Sequence, residues 1–93
     1  MSINRNCIVI AEKTILSTNI DEDLGLMNID KGYYYTLNDI GKSIWNLLTE
    51  EKKIEEIINL LMKDYNVPYE VCSKDVFELI EVLEANGLVK VVN

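Results

Sequence analysis

The chain contains no histidine, one proline and two cysteines in 93 residues, and each shortage closes a line of chemistry. Two cysteines without histidine cannot assemble a usual zinc site, so no metal is expected. No Gly-rich phosphate loop, paired-cysteine motif or nucleophile constellation is present, so neither a catalytic residue nor a cofactor is expected. Cys7 and Cys72 stand far apart in the sequence and read as buried free thiols. The lone proline marks no linker, no repeat or low-complexity segment appears, and residues 1–93 read as one domain. Long apolar runs are missing too. The run CIVIA before Glu12 is too short for a signal-peptide core and nothing approaches a bilayer span, so a cytoplasmic protein is expected. Basic residues are scarce, nine against sixteen acidic, for a net charge of -7. That balance works against attraction to nucleic acid or an anionic membrane and favours a cationic partner.

What the chain does have is ordered along its length. Ile8 to Ile10 and Thr14 to Leu16 are rich in β-branched residues and predict a first strand; Leu24, Leu26, Met27 and Ile29 predict a second. The acidic stretch NIDED at 19–23 reads as a solvated loop between them. Asp30, Lys31 and Gly32 supply turn chemistry before a third strand, Tyr33 to Leu37. From Asn38 the period changes to helical. Asn38 suits an N-cap and Asp39 complements the positive helix end. Ile40, Ile44, Leu47 and Leu48, with Trp45 beside them, predict a first helix to about residue 48. After a polar connection, Ile54, Ile57, Ile58 and Leu61 predict a second that ends near Tyr65. Pro68 opens a third helix over about 68–86, Asn86 and Gly87 stop it, and Leu88 to Val92 reads as a short strand or extended tail. The fold class expected is α+β and winged helix-turn-helix-like, with an N-terminal three-stranded antiparallel β-meander packed on three α-helices.

That outline raises DNA binding, and the third helix argues against it. A recognition helix is drawn to phosphates by lysine and arginine. This one carries Glu70, Asp75, Glu78, Glu81 and Glu84 against Lys74. Cys72, Val76, Leu79, Ile80 and Leu83 form its core stripe. Val71 and Val82 fall outside the stripe, beside Asp75 and Glu78, and need either a covering element of the fold or a partner.

Three consecutive tyrosines sharpen the question, because successive strand residues face opposite sides. If Leu37 points to the core, Tyr33 and Tyr35 share its face, while Tyr34 and Thr36 point away. They either pack across a small sheet or line an edge strand. An open edge can accept a guest strand through main-chain hydrogen bonds, each worth about 0.5–1.5 kcal/mol net, with tyrosines shaping the side-chain pockets.

The segments LMNIDKGYYYTLNDIGKSIWNLL at 26–48, IEEIINLLMKDYNV at 54–67 and DVFELIEVLEANGLV at 75–89 occur in an order that resembles the PqqD-like family. Those are the leader-peptide recognition domains of ribosomally made, post-translationally modified peptides. The step Leu37, Asn38, Gly41, followed by Ile44 and Trp45, carries most of the resemblance. It implies that a precursor's leader peptide docks as an added strand on Tyr33, Tyr34, Tyr35, Thr36 and Leu37. The cleft wall would then come from Asp75, Val76, Glu78, Leu79 and Val82. It further implies partners that process the peptide: a leader peptidase and cyclase of the lasso type, preferred for the aromatic third strand, or a radical enzyme of the pyrroloquinoline quinone type. A rival reading is an acidic winged-helix adaptor that docks on a protein through the third helix. Homodimerisation through the same edge, or by exchange of an N-terminal strand, is physically open.

Overall fold

Local chemistry fixes where each element starts and stops. The computed structural model describes residues 3–93, in the order β1 (Ile8–Ala11), β2 (Ile15–Ile20), β3 (Asp23–Asn28), β4 (Tyr33–Leu37), α1 (Asp39–Leu47), β5 (Lys52–Lys53), α2 (Ile54–Asp64), α3 (Tyr69–Ala85) and β6 (Val89–Val92). Asn38 caps α1 as expected, its Oδ1 accepting the Gly41 N–H at 3.1 Å. At the start of α2, Glu56 reaches back to accept the Lys53 N–H at 3.1 Å. Pro68 precedes α3, whose far end closes in a Schellman motif. There Gly87 takes φ +70°, its N–H donates to the Glu84 carbonyl, and the Leu88 N–H donates to the Leu83 carbonyl.

The strands form two three-stranded antiparallel sheets, ordered β2-β3-β4 and β5-β1-β6. The first is a three-stranded antiparallel meander as expected, but its first strand is β2 alone, and the second sheet was not foreseen. Residues 8–16 are not one strand: β1 ends at Ala11, and β2 belongs to the other sheet. The stretch 19–23 is not a loop either, since only Asp21 and Glu22 lie outside β2 and β3. Asp21 takes φ +54°, which aspartate tolerates, and a two-residue turn suffices. Leu88 to Val92 is a strand from Val89 on, paired residue for residue with β1 from Ala11↔Val89 to Ile8↔Val92. The two-residue β5, unforeseen, pairs with the other side of β1.

One core lies between the sheets and the helices. The meander contributes Leu24, Leu26 and Leu37, the helices Ile44, Ile57, Ile58, Leu61, Val76, Ile80 and Leu83, and the second sheet Val9, Val89 and Val91. Leu79, expected in the α3 stripe, is only partly buried at the margin of this core. Cys7 and Cys72 are free and buried in it. Burial pushes the Cys72 thiol above its ordinary pKa, and the nearby Asp75 carboxylate pushes the same way. Asn28 is the one buried polar side chain among the described residues, and it links the two halves of the molecule. Its Nδ2 donates to the Gly87 carbonyl at 2.6 Å, and its Oδ1 accepts the Lys31 N–H at 3.1 Å. Among the described residues no helix is long and apolar enough to cross a membrane.

Candidate peptide-binding groove

Register decides what each tyrosine does. Tyr35 pairs with Leu26 and Leu37 with Leu24, so both look inward with the buried leucines of β3. Tyr35 is half-buried, whereas Tyr33, on the same face but at the far end of the strand, is 46% exposed. Tyr34 pairs with Met27 on the outer face and is 50% exposed. Its ring lies across Gly25: a Cβ there would meet Tyr34 Oη at 2.7 Å and Ile20 Cδ1 at 2.9 Å. Only glycine leaves room for that ring.

Beside Tyr35 an open groove of about 410 Å³ runs between α1 and α3. Asn38, Ile40, Gly41 and Ile44 line it from the first turns of α1, and Asp75, Glu78, Leu79 and Val82 line it from α3. Its floor includes the buried Ile44, and its α3 rim holds Val82, 37% exposed. Asp75 and Glu78 are the only ionisable side chains in the lining besides Tyr35, so the groove is apolar at its base and negative along one wall. A second concavity shares Asn38 and Ile40 with the groove and adds Glu22, Asp23 and Asp39. The negative character therefore continues around the N-terminal end of α1.

Of the ten residues singled out in the sequence, the groove gathers Tyr35, Asp75, Glu78, Leu79 and Val82. Thr36 and Tyr34 stand exposed on the outer face of β4, and Tyr33 is exposed beyond the groove. Leu37 and Val76 have core side chains, 1% and 0% exposed, and offer no contact surface of their own. The α1 wall was missed. In the sequence Asn38 reads as the helix cap, Ile40 as part of the apolar helical repeat and Gly41 as part of the step that carries the family resemblance; the structure leaves Ile40 40% exposed on the first turn. Val71, also off the core stripe, is exposed and uncovered but does not reach the groove.

Among the described residues β4 is an edge strand, bonded to β3 alone. In an antiparallel sheet each residue of a central strand points its N–H and C=O to one neighbour only. The tight turn at Asp21–Glu22 makes Ile20 and Asp23 an exchanging pair, so β3 bonds β2 through its odd residues and β4 through its even ones. Tyr33, Tyr35 and Leu37 are thus tied to β3, and the main-chain groups of Tyr34 and Thr36 face outward, unpaired. The edge can take one more strand.

Residues 24–89 match the family described as coenzyme PQQ synthesis protein D (PqqD). Among solved structures, the chain is similar to TbiB1, determined in complex with the TbiA(beta) leader peptide. Identity is 27%, the match covers 87% of this chain and 94% of that one, and the TM-score is 0.78. It shares its fold with a lasso peptide synthetase B1 complexed with the leader peptide, at 21% identity, 88% and 96% coverage and a TM-score of 0.70. No curated protein gives a significant match.

Proposed function

The chain belongs to the PqqD family, and from that premise we propose that it captures the leader segment of a ribosomally made precursor peptide and presents it to processing enzymes. The observation that carries this reading is the coincidence of an open strand edge with an apolar, acid-walled groove. A leader strand lying along β4 bonds the outward main-chain groups of Tyr34 and Thr36. From there an aromatic or aliphatic anchor reaches the space between Tyr35, Leu79 and Val82, and basic leader residues meet Asp75 and Glu78. Tyr33 and Tyr34 flank the strand, while Leu37 and Val76 support it from the core.

The chain itself supplies no chemistry; it delivers, as one cytoplasmic domain. The receiving enzymes are a leader peptidase and cyclase of the lasso type, a choice supported by the two leader-bound neighbours. The family's own description favours a second reading, delivery to a radical enzyme in a quinone-cofactor pathway. We also read the three helices as a winged helix-turn-helix arrangement. Supporting this, β5 lies between α1 and α2 and shares a sheet with β6, the strand that follows α3.

An amide NMR titration of the domain with a synthetic leader from the precursor encoded beside its gene tests the proposal. Shifts confined to residues 33–41 and 75–83, with intermolecular strand contacts at Tyr34 and Thr36, are expected. Shifts along α3 without protection of β4 would replace strand addition by the adaptor reading.

A further inference from the structure

Among the described residues four strand edges are open, and they are not alike. β5 and β6 end the second sheet; both β5 residues are lysines, and β6 contains Lys90. Lysine on an edge is a common guard against unwanted pairing. β4 is the edge assigned above to the leader. The fourth, β2, has the sequence ILSTNI, without a charge or a proline, and pairs only with β3. Apart from β4 it is the one edge without a guarding charge, and its outer face holds Leu16 at 60% exposure and Ile20 at 40%, beside the exposed Met27.

The geometry points to a second copy of this chain as the occupant of that edge, β2 pairing antiparallel with β2 about a two-fold axis at Ser17. By the same alternation that frees Tyr34 and Thr36, the main-chain groups of Ile15, Ser17 and Asn19 face outward from β2. An axis at Ser17 sets Ser17 against Ser17 and Ile15 against Asn19 of the second copy, so every outward group finds a partner. Leu16 then faces Thr18 of the second copy across the seam, so a Leu16–Thr18 pair flanks the axis on each side.

Charge selects the same place. Two chains of net charge -7 repel, so self-association needs a seam where no carboxylates meet. Within β2 the seam is uncharged, and just beyond it the register brings exposed Lys13 toward exposed Asp21 of the second copy at both ends. Glu12 has left the strand line by then, its N–H bonded to the Leu88 carbonyl. The result is an isologous dimer with a continuous six-stranded sheet and both β4 edges free at its outer ends.

Sedimentation velocity of the full chain from about 5 µM to about 500 µM should show monomer converting to dimer. Added salt should tighten the dimer by screening the monopole repulsion, a sign opposite to that expected for a basic leader. Ser17→Lys places two ammonium groups face to face and Ser17→Pro fills the seam without disturbing the β2–β3 ladder; each should weaken association at least about tenfold. Thr36→Lys, the same charge on the β4 edge, should leave it unchanged. Circular dichroism checks the fold of each, and Lys13→Glu gives a further weakening variant outside the strand. A wild-type chain that stays monomeric throughout, or a dimer indifferent to Ser17→Lys, overturns the assignment.

Discussion

Asn28 shows how much one side chain can hold. Its amide satisfies the Gly87 carbonyl and the Lys31 N–H at once, from a side chain only 4% exposed. Asn28→Ala should therefore cost about 1–3 kcal/mol, read as a lowered urea midpoint, because it removes two hydrogen bonds that tie β3 to the Gly87 and Lys31 turns. Val82 is the contrasting case. It is part-exposed on the groove rim, so Val82→Glu should shift stability by no more than about 0.5 kcal/mol. Leader affinity, measured by calorimetry, should fall at least about tenfold, since a carboxylate would occupy the apolar anchor space. Cys72 sets a pH limit. The folded chain holds its proton more tightly than the unfolded chain, so the stability this adds is complete below the ordinary thiol value of 9.0 and is lost as pH rises through the elevated one. Urea midpoints taken from neutral pH into the alkaline range should decline, and Cys72→Ala should flatten that decline.

At the scale of elements, the helices were the most legible part of the sequence. Two of them carry plain boundary signals: Asn38 starts α1, Pro68 precedes α3, and Gly87 closes α3 in the Schellman motif. Gly87→Ala should be destabilising by about 1–2 kcal/mol through the left-handed backbone alone. The new methyl would also crowd Asn28 Nδ2, 2.9 Å away. Strands were legible as strands but not as partners. Nothing local in IVIA says that it sits between Lys52–Lys53 and Val89–Val92, because pairing is decided by packing between distant segments. The groove was half legible for the same reason. The off-stripe position of Val82 beside Asp75 and Glu78 could be read from a helical wheel, whereas the approach of α1's first turn to α3 is a tertiary fact. β4 offers an element-scale test: Thr36→Pro removes an outward N–H and leaves the β3 ladder whole. Leader binding should be lost while the thermal midpoint stays near wild type, whereas Tyr35→Pro should damage both.

For the whole molecule, charge and topology act together. The net charge of -7 is spread over a surface whose groove and neighbouring concavity hold Asp75, Glu78, Glu22, Asp23 and Asp39. Leader association should accordingly slow and weaken with rising salt, by a modest amount, since exposed ion pairs contribute about 0–1 kcal/mol each. Stopped-flow fluorescence of Trp45, half-buried against the core on α1, provides the readout. Topology adds a matter of timing. The β2-β3-β4 sheet is made of near neighbours in sequence and can form as soon as residue 37 is available. The strand β1, made before any of it, waits for β5 to gain a two-pair ladder and for β6 to gain its longer one. On a ribosome, the earliest strand waits for nearly the latest, so the edge strand β4 is in place before the sheet that joins the first strand to the last.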